Sequence, residues 1–253
     1  MDEQSLEKYR GFLKSLVRKE WDGSDTDRKK HLPAPPLQKP YPENSTVIGL
    51  IDAGRFTLGK MDLIEALRRR KSRRKYTKEP LTLEEISYLL WATQGVNDVV
   101  RSKGKVRYCR TAPSSGSCYP YETYILANRI EGVEPGMYRY LPLDHLLCFL
   151  YQEEDLVEKV HEACLGQYIV DSAAVFIWTS IPYLTEWRYG MISHKVILLE
   201  VGHICQNLYL ACESIGIGAC ALGAYDQESM DKILKVDGRD EFAVYAAIIG
   251  KIR

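Results

Sequence analysis

The chain has 253 residues, 45% of them hydrophobic, which suffices for one large or two small folded units and excludes disorder throughout. Its 34 Lys and Arg balance its 34 Asp and Glu, so no whole-molecule field drives non-specific binding to nucleic acid or membrane. Seven cysteines without a CxxC pair argue against a disulfide framework and for reduced thiols.

The N-terminal "MDEQSLEKYRGFLKSLVRKEWD" lacks an apolar signal-type core, and no segment offers the roughly 18 apolar residues that span a bilayer. The expectation is a cytoplasmic protein with no membrane partner. Within residues 5–21, Leu6, Tyr9, Leu13, Leu16 and Val17 recur at helical spacing, which predicts an amphipathic helix. Pro33, Pro35, Pro36, Pro40 and Pro42 then favour extended backbone, read as a strap or linker. Residues 1–59 are thus set apart from a folded domain over 60–253.

"KMDLIEALRRR" predicts a helix, and "PLTLEEISYLLWAT" predicts a second with a capping box of Thr82 and Glu85. "YETYILA" reads as a strand, followed by a hairpin of "GMYRYLP" and "LLCFLY" turning at Leu143 and Asp144. "EEDLVEKVHEACL" is helical, and the continuous apolar run "SAAVFIWTSI" predicts a strand buried on both faces. Residues 193–214 form a long, largely buried helix in which Gly202 would permit a close crossing. A short strand in "GIGACALGAYD", a helix in "QESMDKILKV" and a last strand in "FAVYAAIIG" complete the chain. This irregular alternation predicts an α+β fold.

Metal binding finds little support. His203 and Cys205 stand two apart on a helix, about 200° around its axis, and cannot converge on one ion. His161 and Cys164 could share a face, but two ligands without a second pair make a poor site.

Three segments carry chemistry. "RRRKSRRKYTK", residues 68–78, admits a solvated helix end, a nucleic-acid contact or a phosphate ligand, for which arginine's planar fork is well suited. "RTAPSSGSCYPYETYILA", residues 110–127, places small residues between prolines, either as a surface loop or as a stiff, smooth surface that a flat ligand can approach. In "GIGACALGAYD", Gly216 and Gly218 fit a helix stop and tight packing, whereas Gly223 and Ala224 follow the strand, where a backbone amide can face a ligand.

Together, an R-x-S-x-R, a P-S-S loop leading into a strand and a late G-A-Y-D resemble the FMN-dependent nitroreductase family over roughly residues 60–253. "APSSGSCYPYETYIL" and "LLEVGHICQNLYLACESIGIGACALGAYD" bring the likeness closest to the branch of the SagB-type dehydrogenases. The resemblance implies a mostly antiparallel sheet flanked by helices, in an intertwined homodimer with FMN at the subunit interface. By this likeness Arg70, Ser72 and Arg74 hold the phosphate, with Lys251 and Arg253 as late basic residues near it. Pro113, Ser114, Ser115 and Ser117 reach the flavin from the other subunit, and Leu222, Gly223 and Ala224 approach its N5 edge. Hydride would pass from NADH or NADPH through the flavin to a small-molecule substrate.

One departure concerns "EWRYG": SagB-type enzymes associate a Lys-Tyr pair with proton removal, and Arg188 cannot deprotonate, which leaves Tyr189 as a candidate proton donor. Another is the end of the chain at Arg253, where many relatives continue into an arm, so the N-terminal helix and strap would cover the dimer instead. Two other readings stay open: flavin-dependent dehydrogenation with oxygen as acceptor, and non-catalytic anion or RNA binding by residues 68–78, which predicts salt-dependent nucleic-acid binding. Basic residues without an aromatic platform are poor material for the latter.

Overall fold

A computed structural model describes residues 2–14, 25–102 and 105–253. Its centre is a seven-stranded sheet in the order β1 (Val47–Gly49), β6 (Leu146–Tyr151), β5 (Gly136–Leu141), β4 (Tyr121–Ala127), β7 (Ala174–Ser180), β9 (Phe242–Lys251) and β8 (Ile217–Leu222). Every pairing between these strands is antiparallel. The middle strands alternate their side chains between two apolar layers. Phe176 and Trp178 of β7 face α3 (Leu83–Gln94) and the long helix α6 (Ser193–Ser214), whereas Val175 and Ile177 face α4 (Leu156–Ala163) and α7 (Gln227–Leu234). Burial on both faces accounts for the unbroken apolar run of β7.

The α+β reading and the expected helices and strands from β4 onward are all present. The capping box at the start of α3 is also formed, with Thr82 accepting from the Glu85 amide and the Glu85 carboxylate accepting from the Thr82 amide. Gly216 ends α6 at φ 72°, and a Cβ on Gly218 would meet Ile252 and Arg73, so both glycines serve the helix stop and tight packing.

The structure departs from the sequence reading in four places. The N-terminal helix α1 is Glu3–Leu13, and its apolar residues Tyr9 and Leu13 are exposed; Leu16 and Val17 lie outside the described residues. Val47–Gly49, inside the segment set apart as a strap, extends the sheet by pairing with β6. A hairpin of β2 (Val96–Ser102) and β3 (Lys105–Arg110) stands as a separate two-stranded sheet, unforeseen because its charged residues cover no core. Gly202 makes no close crossing within the chain: nothing lies within 4 Å of its Cβ position, because it is on the outward face of α6.

The proline strap lies on its own chain's sheet. Lys39 pairs with Glu241 and donates to the Tyr124 hydroxyl at 3.1 Å, while Arg139 donates to the carbonyl of Pro40 at 2.8 Å. Beneath it Glu122 lies 3.7 Å from Arg139, both nearly fully buried. Burial outweighs the pull of the Arg139 guanidinium on Glu122, and the neighbouring Glu241 charge adds to it, so the Glu122 carboxyl is pushed up to about 7.

The native pKa therefore lies above the unfolded value of about 4.5, and between those pH values the native state retains a proton that the unfolded chain has lost. This contribution to stability is complete below the window and is lost as pH rises through it. Glu122→Gln, which cannot ionise, is expected to remove that fall; urea denaturation of both proteins at each end of the window checks it, and parallel pH profiles would refute it.

Candidate functional site

Helix α6 organises two groups of predicted residues on opposite flanks. Near its C-terminal end, the segment after α2 (Leu63–Arg69) crosses edge strand β8, with Ser72 bridging to Ala219 and the Arg73 amide donating to the Ala219 carbonyl. The Tyr209 hydroxyl of α6 accepts from the Ala221 amide at 2.8 Å and shares a 3.0 Å hydrogen bond with the Ser72 hydroxyl. Arg70 stacks over the Tyr209 ring at 5.4 Å.

The basic run divides by direction. Arg69, the last residue of α2, and Arg73, in the extended segment after it, both pair with the buried Glu213 of α6. Arg70 and Arg74 point elsewhere and have no carboxylate partner among the described residues. Two uncommitted guanidiniums around an exposed hydroxyl form a donor set that fits a phosphate.

From Ala219 to Gly223 is about 13 Å at the rise of a strand. Leu222 is buried, whereas Gly223 and Ala224 are exposed just past the strand. The Ala224 carbonyl accepts from Gln167 at 2.8 Å, which holds this corner in place. Lys251 pairs with Glu85 at 3.4 Å, so its charge is partly answered inside the chain, while Arg253 is exposed.

The other group lies near the N-terminal half of α6. The amide of Ser115 donates to the Glu200 carboxylate at 2.6 Å, and the Ser114 hydroxyl accepts from the Tyr119 amide at 2.9 Å. Burial raises the Glu200 carboxyl, opposed by its bonds to the serine loop. Gly116, Ser117 and Tyr119 have φ of 64°, 55° and 49°, a concentration of left-handed backbone that persists only where surroundings enforce it. Those surroundings include the Tyr119 hydroxyl, which accepts from the Arg110 amide at 2.9 Å, and Arg188 of α5 (Tyr183–Tyr189), which donates to the Gly116 carbonyl at 3.0 Å. A Cβ at Gly116 would stand 2.7 Å from the Tyr189 hydroxyl, so Tyr189 belongs to the serine-loop group.

The structure therefore brings Arg70, Ser72, Arg74 and Leu222–Ala224 to one flank, and Pro113–Ser117 with Tyr189 to the other. Glu200 and Tyr209 are nine residues apart, about 14 Å along α6 and roughly half a turn around it. The sequence reading missed both, together with Glu213. Polar residues at the borders of an otherwise apolar stripe were the available signal. His203 and Cys205 do diverge, exposed and buried respectively, and the described residues contain no cluster of three metal-ligating side chains.

The Nitroreductase family model matches residues 67–251. A nitroreductase-type protein of Methanocaldococcus jannaschii is 34% identical over 178 residues, which cover 70% of this chain and 86% of that protein. A solved nitroreductase-type structure from Anabaena variabilis superimposes with a TM-score of 0.72 at 22% identity, over 96% of this chain but only 45% of that one. A chain of the E. coli microcin synthetase McbBCD complex, with truncated pro-MccB17 bound, has a similar fold, with a TM-score of 0.59 at 18% identity over 100% of this chain and 95% of that one.

Gly116→Ala tests the rigidity of the serine loop. Its positive φ and the contact with Arg188 and Tyr189 are expected to cost about 1–3 kcal/mol of stability, read from chemical denaturation. An unchanged midpoint would show that the loop shifts freely.

Proposed function

Because the chain belongs to the nitroreductase family and is an oxidoreductase, we propose that it uses FMN, in a ping-pong cycle between a nicotinamide donor and a small organic acceptor. The observation that carries the cofactor is the sorting of the basic run: Glu213 neutralises Arg69 and Arg73, and Arg70, Ser72 and Arg74 are left for an anion. When bound, FMN supplies hydride transfer through its N5 position.

The chain's own residues bind and orient. Arg70 and Arg74 neutralise the phosphate, and Tyr209 aligns the Ser72 hydroxyl beside them while tying it to β8. Leu222, Gly223 and Ala224 would offer backbone to the flavin from a corner that the Gln167 hydrogen bond to the Ala224 carbonyl ties down. Arg253 adds positive charge at the phosphate end, and Lys251 adds less because Glu85 already answers it. Pro113, Ser114, Ser115 and Ser117 would form a stiff surface for the flavin ring, and Tyr189, whose hydroxyl lies over Gly116, would be the candidate proton donor beside that surface.

Because the two groups lie on opposite flanks of α6, we read the protein as a homodimer in which each flavin would meet one group from each copy. Exposed Leu63, Ile64 and Leu67 of α2, with Leu198 and Leu199 beside Gly202 on α6, supply an apolar face for a second copy. Within the family we assign the chain to the SagB-type branch, on the likeness of residues 112–126 and 198–226. Arg188 counts against azoline oxidation as the reaction, since a guanidinium bound to a carbonyl cannot take a proton. The commitment of Arg69 and Arg73 to Glu213 also weakens the nucleic-acid reading of the basic run.

Freshly purified protein is expected to be yellow and to release FMN at about one per chain. Protein that is colourless and takes up no added FMN would overturn the assignment. Arg70→Ala and Arg74→Ala are each expected to weaken FMN retention by about 1.5–3 kcal/mol, the worth of a charge-assisted hydrogen bond, measured by flavin fluorescence on dilution. Unchanged retention in both would locate the phosphate elsewhere.

A further inference from the structure

Beside the serine loop lies a cleft of about 930 Å³, walled by the proline strap at Ala34–Leu37, the β2–β3 hairpin, residues Gly116–Tyr119 and α5. Its size falls within the usual range of small-molecule sites, roughly 300–1,000 Å³. Arg28, Arg107, Arg110 and Arg188 line it, and among the described residues no Asp or Glu does. Such an excess is local, because the chain as a whole is electroneutral.

The way these arginines are held gives the cleft its character. Other arginines have carboxylate partners, Arg69 and Arg73 with Glu213 and Arg139 with Glu122, whereas Arg129, outside the cleft, is held by the Thr77 and Asp171 carbonyls. The four in the cleft make no ion pair among the described residues, and those with side-chain hydrogen bonds donate to neutral oxygens. Arg110, only 8% exposed, donates to the Gln94 side-chain oxygen at 3.0 Å and to the Leu37 carbonyl at 3.4 Å, lies over the Tyr119 ring at 4.7 Å, and has an Nε without any partner. Arg188 donates to the Gly116 carbonyl, and the Arg28 amide donates to the Trp187 carbonyl. Neutral acceptors orient a guanidinium without pairing its charge; Arg110 feels the buried Glu122 carboxyl but forms no ion pair with it, so a partly buried positive charge is left short of a partner, which is costly. Glu200, the carboxylate at the loop, is engaged by the Ser115 amide. Tyr108, Tyr119 and Trp187 add flat aromatic faces to the wall.

We propose that this cleft binds the organic acceptor, and that the acceptor is a planar molecule carrying a carboxylate or phosphate, its anion held by Arg28, Arg107, Arg110 and Arg188. The proposal rests on the reading above that the serine loop adjoins the flavin. Arginine matches either anion with two parallel donors, and the strap, whose leading residues are bonded to α5 through Trp187, forms one wall of the cleft.

Calorimetric titration compares 4-nitrobenzoate with 4-nitrobenzamide, which has nearly the same shape without the charge. The full-length protein is expected to bind the benzoate at least about tenfold more tightly, a preference that falls with added salt. Arg28→Gln and Arg107→Gln, at exposed positions where folding tolerates change, are expected to reduce that ratio toward one. Equal binding of the two probes, or an unchanged ratio in both variants, would overturn the proposal. In steady state, the same variants are expected to raise KM for 4-nitrobenzoate. A rise confined to NADPH, with 4-nitrobenzoate and NADH unaffected, would assign the anion site to the donor's phosphate and overturn the acceptor reading. The calorimetric arm needs no turnover, so a charge preference in a protein that takes up no flavin would sink the functional reading while leaving the cleft's ligand class intact.

Discussion

Helix α6 carries the constraint on which the candidate site depends. Twenty-two residues give it a length of about 33 Å at 1.5 Å per residue, long enough to pass both groups of functional residues, and its apolar stripe fixes its rotation against the sheet. With the rotation fixed, the polar residues at the edges of that stripe have no freedom of direction. Glu200 faces the serine loop on one edge, and Tyr209 faces β8 and Ser72 on the other. Glu213, one turn beyond Tyr209, gathers Arg69 and Arg73 and thereby turns the intervening side chains outward. A rotation of α6 by one residue would exchange these edges for apolar side chains and dissolve both groups.

Charge is distributed by the same logic. The chain is electroneutral, and two of its buried acids are placed where they neutralise selected bases, Glu213 at Arg69 and Arg73 and Glu241 at Lys39, while Glu122 lies near Arg139 with its own carboxyl pushed up to about 7. What is left over is informative. Arg70 and Arg74 beside edge strand β8, and the arginines of the cleft, are positive charges that the fold orients without an ion pair among the described residues. Since an unpaired charge near a low-dielectric surface is unfavourable, both places are suited to anions supplied from outside. They lie near different ends of α6, as the proposed function requires of a cofactor phosphate and a substrate.

The proline strap has a double part in this arrangement. Its Lys39 and the carbonyls of Lys39 and Pro40 close a buried polar network at the end of the sheet, and its preceding residues form one wall of the cleft. Prolines suit the task because they hold an extended path without requiring hydrogen-bond partners for their nitrogens. The segment that carries no helix or strand signal is therefore tied to the sheet by side-chain bonds to Glu241 and Arg139.

Much of this was legible in the residues themselves. The capping box of Thr82 and Glu85, the doubly buried β7, the 193–214 helix and the left-handed glycine after it follow from period, propensity and cap chemistry, which act within a few neighbours. The R-x-S-x-R, P-S-S and G-A segments were likewise visible as local text. Three things were not. Which arginines of residues 68–74 are free depends on Glu213, some 140 residues away in the chain. The β2–β3 hairpin was hidden because a pair of strands that covers no core need not alternate apolar and polar residues. The cleft exists only where strap, hairpin, loop and α5 meet, and no one of those segments has a pattern that reports it. Local interactions fix elements and short motifs, whereas the direction of a side chain and the balance of its charge are set by long-range packing, which the tertiary structure alone decides.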